Sequence, residues 1–173
     1  MLEKHLFGNA RVVGDDVNTD YIISSSRKRA TLDESQLARY LFETLDPGFA
    51  ASVRPGDLLV AGHNFGCGSA MEVAATVILR AGIRAVLASS FARAFYRNAV
   101  NNGLLPIECD TRQIAEGDAL AITLGDDQIE VTCEARLIRL AARPIAPFMR
   151  EILDAGGLVE FVRHGGLRSA RGA

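Results

Sequence analysis

The sequence predicts a single α/β domain, and three observations carry that prediction. Between residues 58 and 103, short apolar strands alternate with helical stretches in the order strand, glycine-rich loop, helix, strand, helix. That order is a βαβ unit with a parallel strand pair. Beyond residue 106 the pattern changes to short strands with a hairpin signal at Gly125-Asp126-Asp127. The length, 173 residues, suits one well-buried core. Residues 1–173 are therefore read as one unit, without internal repeat or interdomain linker.

The elements follow in chain order. Arg11-Val12-Val13-Gly14 is a short strand that ends in the polar turn segment 15–20. Tyr21-Ile22-Ile23 leads into residues 24–29, Ser-Ser-Ser-Arg-Lys-Arg. This piece is polar and basic and lacks hydrophobic periodicity, so it reads as an exposed loop. Leu32, Leu37, Tyr40 and Leu41 then recur near helical spacing up to Asp46-Pro47-Gly48, with Asp33 or Ser35 available as cap. Pro55-Gly56-Asp57 turns the chain into a strand at 58–61. A helix over 70–81 follows, with Gly82 at its C-terminal cap. A strand at 84–88 precedes a helix over 91–100, closed by Asn101-Asn102-Gly103. After residues 104–107 the character shifts, and 119–124, 128–132 and 136–140 are short strand candidates. A last helix over 147–155 ends at Gly156-Gly157, with the apolar stretch 158–162 behind it. The core is placed at 6–163, and the Gly- and Arg-rich tail at 164–173 is expected to fray.

Composition narrows the function. At 49% hydrophobic and 23% charged residues, the chain is no disordered, collagen-like or disulfide-scaffold protein. Nineteen Lys+Arg against 21 Asp+Glu leave a net charge of −2. Such a balance provides no bulk attraction to nucleic acid or to an anionic membrane. No apolar run reaches membrane-spanning length, and the first residues lack a secretory pattern. A cytoplasmic location is expected. Cys67, Cys109 and Cys133 are odd in number and far apart, so they write no zinc ribbon and no self-contained iron–sulfur ligand set. No metal ligands are assigned to this chain.

The segment Asn64-Phe65-Gly66-Cys67-Gly68-Ser69-Ala70-Met71-Glu72 stands between a strand and a helix. Its backbone N–H groups and the positive helix end make an anion site. Ser69 with Glu72 also matches a capping box, and capping does not exclude chemistry. Gly66-x-Gly68 begins a dinucleotide fingerprint, yet Met71 occupies the third glycine position and no acidic residue ends the next strand. A P-loop is excluded because no Gly-Lys-Ser/Thr follows. Cys67 with His63 as base is a further reading, although no third, orienting group is apparent.

Four ordered segments add a resemblance. They are Gly14-Asp15-Asp16-Val17-Asn18-Thr19-Asp20-Tyr21-Ile22-Ile23, then Gly56-Asp57-Leu58-Leu59-Val60-Ala61-Gly62-His63-Asn64-Phe65-Gly66-Cys67-Gly68-Ser69, then Ser90-Phe91-Ala92-Arg93-Ala94-Phe95-Tyr96-Arg97-Asn98, and Asn101-Asn102-Gly103-Leu104. Together they resemble the small subunit of isopropylmalate dehydratase, which is similar to the swivelling domain of aconitase. The resemblance runs over about residues 6–163. It implies a swivelling β/β/α fold that closes over a large subunit holding a [4Fe-4S] cluster by three cysteines. The implied substrate is a small hydroxy-dicarboxylate, and the implied reaction is a hydro-lyase step. Dehydration and rehydration through an enoic acid would interconvert 2-isopropylmalate and 3-isopropylmalate in leucine biosynthesis.

The same resemblance assigns residues. Ser69 matches the serine whose alkoxide takes the proton from carbon, a role that requires donors to stabilise the alkoxide. Gly66, Cys67, Gly68, Ala70 and Met71 match substrate-lining positions, and Thr19 and Asp20 either shape the edge of the site or simply make a turn through side-chain-to-backbone bonds. Arg27, Lys28 and Arg29 lie on the segment expected to reach the site and influence substrate choice. After the serine the family reads Ser-Arg-Glu-His, whereas this chain has Ala70-Met71-Glu72-Val73. Met71 cannot bind a carboxylate as the family's arginine does, a loss of roughly 1.5–3 kcal/mol. The departure leaves two alternatives: a homoaconitase-like or dimethylmalate-like substrate, or a partner domain without catalytic function. Arg93 and Arg97 lie four apart on one helix face; Arg97 is expected to be structural, by pairing with acidic neighbours, and the role of Arg93 stays open.

Overall fold

The computed structural model describes residues 3–125 and 127–166. Seven strands form one sheet in the order β4-β3-β2-β1-β5-β6-β7. They are β1 (His5–Val12), β2 (Leu58–Ala61), β3 (Ala85–Ala88), β4 (Leu105–Glu108), β5 (Ala119–Leu124), β6 (Ile129–Cys133) and β7 (Ile138–Ala142). Strand β1 divides the sheet into two halves. It pairs in parallel with β2, Ala10 opposite Leu58, and antiparallel with β5, Leu6 opposite Ile122. Strands β2, β3 and β4 continue the parallel half, while β5, β6 and β7 form an antiparallel meander.

The two halves explain the two strand patterns in the sequence. Parallel strands are covered on both faces and read as unbroken apolar runs. Leu58 and Val60 enter one core, and Leu59 and Ala61 the other. In the antiparallel half only one face is covered, so buried Leu120, Ile122 and Leu124 alternate with more open Ala119, Ala121 and Thr123. The sheet curls until the chain after β7 meets the end of β4. There the Arg143 N–H donates to the Glu108 carbonyl at 2.9 Å, and the two side chains form an ion pair, also at 2.9 Å.

Helices cover both faces. Four are single turns or little more: α1 (Thr19–Ile22), α2 (Ser25–Ala30), α3 (Glu34–Leu37) and α4 (Phe49–Ser52). The longer ones are α5 (Val73–Arg80) and α6 (Arg93–Asn102), followed by α7 (Pro147–Asp154) and α8 (Leu158–Arg163). Helices α1, α3, α5 and α6 enclose one core with β2 and β3. Helices α7 and α8 send Ile152, Leu153 and Phe161 into the other. Gly82 and Gly103 sit just past α5 and α6 with φ of +96° and +81°, the left-handed caps that glycine favours.

Several elements differ from the sequence expectation. The first strand runs over His5–Val12 rather than 11–14, because β2 and β5 pair with it on either side. Residues 24–29 form no loop: Ser24 caps α2 by accepting from the Arg27 N–H. The helix expected after Thr31 is only Glu34–Leu37, capped by Asp33 and followed by a 3₁₀ turn at Ala38–Tyr40. Strand β7 starts at Ile138 rather than 136, since residues Glu134–Arg136 form a 3₁₀ turn and Leu137 takes a φ of +54°. The stretch behind Gly156-Gly157 is the helix α8. The Gly125 N–H closes the β5–β6 hairpin onto the Gln128 carbonyl. Asp126 and residues 167–173, the greater part of the expected tail, lie outside the described residues.

Candidate active site

Three loops leave the C-terminal ends of the parallel strands and lock together. The 13–18 loop after β1 and the 62–72 loop after β2 are stitched by backbone bonds. Asp16 N donates to His63 O, Gly66 N to Val17 O, and Thr19 N to Cys67 O, each at 2.8 Å. Asp15 accepts from the His63 N–H at 2.6 Å, and Asn64 donates to the Asp16 carboxylate at 2.8 Å. Asp16 and Asn64 both sit in the left-handed region, at φ +50° and +55°, a conformation that Asp and Asn tolerate better than most residues. The third loop, after β3, fixes Phe65 from the other side. Phe65 N donates to Ser90 O, and Ala92 N to Phe65 O.

Gly66 and Gly68 of the central loop are sterically required. A Cβ on Gly66 would lie 2.2 Å from Cγ of Phe95, and one on Gly68 would lie 2.5 Å from the Asn18 side-chain oxygen. The phenylalanine is part of a packed cluster, edge-on to Phe65 at 4.9 Å and stacked with Phe91 at 6.2 Å. The amide of Asn18 has a second task, accepting from Asp20 N at 2.9 Å to cap α1. Asn18 was not among the expected site residues. Its position before Thr19 and Asp20, an Asx cap at the entrance to a turn, was the available signal.

Ser69 stands at the exposed end of this clamp. Its carbonyl is held by the Thr19 hydroxyl at 2.9 Å, and Thr19 is itself only 1% exposed. Among the described residues the Ser69 hydroxyl has no partner, and the N–H groups of Gly68, Ser69 and Ala70 have no acceptor. A nucleophilic oxygen thus stands beside unspent donors. The capping-box expectation is overturned: α5 begins at Val73, its cap is Glu72, and no side chain caps it. The physical reason is the Thr19 tie together with burial of Met71, which set residues 69–71 outside the helix.

The other expected residues are distributed unevenly. Asp20 accepts from the Ser25 hydroxyl at 2.7 Å and joins α1 to α2. Cys67 donates its thiol to the Asp16 carbonyl and makes no bond to the His63 ring. Ala70 is exposed, whereas Met71 is 7% exposed, with its sulfur against Lys28 Nζ. Arg27 is drawn away from the site into a bidentate pair with Glu43 at 2.8 and 2.9 Å, 3.8 Å from the Tyr40 ring. Arg29 points to solvent. Arg93 and Arg97 are both exposed, and among the described residues neither makes an ion pair, so the acidic partner expected for Arg97 is not found.

The Arg27–Glu43 pair makes a pH-dependent fastening. Hydrogen bonding to the guanidinium, aided by its charge, holds the Glu43 carboxyl below the usual carboxylate range against the opposing effect of burial. A carboxylate whose folded pKa is lowered stabilises the fold fully at neutral pH and loses that contribution as pH falls through the carboxylate range. Both side chains are partly exposed, so the effect on global stability is small. Proteolytic sensitivity of the 24–43 region is expected to rise in acid, and Glu43→Gln is expected to remove that pH dependence.

The cysteines do not fit an iron–sulfur cluster. Burial, with the nearby Asp110 charge, pushes the Cys109 thiol up to about 12, and Cys133 is 1% exposed. Among the described residues no three His, Cys, Asp or Glu side chains group as metal ligands. No helix of the described residues is long and apolar enough to cross a membrane.

Comparison with known proteins shows the family. Residues 19–112 match the model of the aconitase C-terminal domain. The 3-isopropylmalate dehydratase small subunit of Halothermothrix orenii is 43% identical over 167 residues, covering 95% of this chain and 99% of the relative. The chain belongs to the isopropylmalate dehydratase small-subunit family. A second family member, the methanogen homoaconitase small subunit of Methanocaldococcus jannaschii, is 44% identical over 156 residues, 90% of each chain. The crystal structure of a 3-isopropylmalate dehydratase from the same organism superposes with a TM-score of 0.89 at 40% identity, covering 98% of this chain and 99% of that one. The family's aconitase-like fold is the curled sheet with helices on both faces described above.

Proposed function

We propose that this chain is the small subunit of a heteromeric hydro-lyase that interconverts 2-isopropylmalate and 3-isopropylmalate by dehydration and rehydration. The observation that carries this reading is Ser69, exposed at the tip of a rigid two-loop clamp beside three unspent N–H groups. Ser69 Oγ removes the proton from the substrate carbon in one direction and returns it in the other. A serine oxygen is a competent base only as an alkoxide, and preorganised donors aimed at it lower the cost of that charge. Among the described residues the N–H groups of Gly68, Ser69 and Ala70 are left free for that role, in a loop that Thr19 and Asn18 already hold. The cluster on which the family depends belongs, in this reading, to the large subunit, and the substrate is bound between the two chains.

Met71 supports a second reading, a hydro-lyase acting on another substituted malate, since it stands where the family carries arginine. The homoaconitase relative lends that reading weight. One experiment covers both. The chain is mixed with the large, cluster-bearing subunit, and 3-isopropylmalate, a homocitrate-type acid and a dimethylmalate-type acid are each assayed. Turnover of 3-isopropylmalate by the complex and none by the chain alone is the expected result. Preference for another acid selects the second reading. Assembly without turnover of any acid leaves a non-catalytic partner domain.

A further inference from the structure

Helix α6 starts with a cation in an unfavourable place. Arg93 is its first residue, and its first turn holds no acidic side chain. The N-terminal end of a helix carries partial positive charge, so a guanidinium there is repelled. Arg97 follows one turn later on the same face, and like charges at that spacing repel as well. Both side chains are exposed, and among the described residues neither meets a carboxylate. The two arginines line a groove of about 350 Å³ with Phe91, Tyr96, Glu108 and Met149. Phe91 and Tyr96 meet edge to face at 5.8 Å, and Glu108 is already paired with Arg143 at 2.9 Å. Aromatic rings, methionine and arginine are the residue types enriched where protein partners meet.

We propose that the α6 groove is a docking site for an acidic segment of the large subunit. Carboxylates of that segment pair with Arg93 and Arg97, while Phe91, Tyr96 and Met149 take its apolar neighbours. The proposal rests on the part of the hydro-lyase reading that gives this chain a large, cluster-bearing partner. Charge complementarity names the chemistry of the occupant. Partner carboxylates satisfy both guanidiniums and cancel the two repulsions that the isolated chain bears. A second copy of this chain, docked groove to groove, brings no free acid, because Glu108 is held by Arg143. The groove is also fastened to the loop that carries Ser69. The Ala92 N–H donates to the Phe65 carbonyl at 2.9 Å, and the Phe65 N–H donates to the Ser90 carbonyl at 3.0 Å. Phe91 stacks on Phe95, the ring that braces Gly66. A partner seated on α6 is thereby held in a fixed relation to that loop.

The test measures the Kd between this chain and the large subunit by titration calorimetry at low and at physiological salt. R93E and R97E are each expected to raise Kd by about 10- to 100-fold, the worth of one charge-assisted pair. Wild-type affinity is expected to fall as salt rises, and that of R93E/R97E to respond far less. R84E makes the same change in charge at the opposite end of β3 and is expected to leave Kd unchanged. The melting temperature of isolated R93E is expected to hold or rise, since an acid suits the start of α6; a merely structural arginine would lower it. With the large subunit saturating, kcat of R93E/R97E is expected to stay near wild type. An unchanged Kd in R93E/R97E, with a wild-type complex that turns over substrate, overturns the docking site and leaves the hydro-lyase reading standing. A dimer of the isolated chain that R93E/R97E dissolves, with Kd for the large subunit unchanged, gives the groove to a second copy and also overturns it. A wild type that does not assemble with the large subunit overturns both.

Discussion

Ser69→Ala is expected to lower kcat of the reconstituted complex by about 10²–10⁴-fold, the usual worth of a positioned general base, and to leave assembly with the large subunit intact. The structure separates these two outcomes. Thr19 holds Ser69 through its main-chain carbonyl, and the two glycines before it, Gly66 and Gly68, are braced by Phe95 and Asn18. No bond from the Ser69 hydroxyl supports the loop, so its removal leaves the backbone in place. If Ser69 were a helix cap instead, the alanine variant would lose about 1 kcal/mol of stability and keep its activity. Steady-state kinetics alongside a thermal melt distinguish the two. Because α5 starts at Val73, too late for Ser69 to cap it, no such stability loss is expected; near-normal turnover would remove Ser69 from the chemistry.

Gly66→Ala is expected to cost about 2–5 kcal/mol. Two contributions add. An L-residue at the glycine's φ of +78° loses about 1–2 kcal/mol to the Cβ–backbone clash. Forcing a methyl group against a fixed core side chain adds about 1–3 kcal/mol. Phe95 is 1% exposed and packed against two other rings, so it cannot yield by rotating away. In a chain of this size the melting temperature falls by about 4–20 °C, and turnover falls with it because the loop bearing Ser69 is displaced. Gly117→Ala is the control. Gly117 has nearly the same φ, +80°, but nothing lies within 4 Å of the added Cβ, so only the backbone contribution remains. Equal losses in the two variants would show that the phenylalanine cluster does not hold the loop.

How much of this was legible in the sequence depends on where each element gets its stability. The parallel strands were legible because burial on both faces writes an unbroken apolar run, as at Leu58–Ala61. The ends of α5 and α6 were legible because Gly82 and Gly103 mark left-handed caps. Residues 24–29 misled, since α2 has no buried residue and so shows no hydrophobic period. Its anchors are Asp20 and, 16 residues after Arg27, Glu43. The start of α5 misled for a related reason. Ser69 and Glu72 satisfy a local capping rule, but the bond that decides the local geometry comes from Thr19, 50 residues away.

The sequence by itself determined the α/β class, the strand–loop–helix placement of the glycine-rich segment and the family, and through the family it put Ser69 forward as the proposed base. Each of these is written in side-chain periodicity or in an ordered run of residue types. Only the tertiary structure decided what the residues around Ser69 are free to do. It spends Arg27 on Glu43, leaves Lys28 with a sulfur for company, and holds Ser69 by its carbonyl so that its hydroxyl stays unbound. The reason is that a polar group's availability depends on which partners folding brings within about 3 Å, and those partners lie 16 to 50 residues away. Composition and local pattern carry no record of that distance.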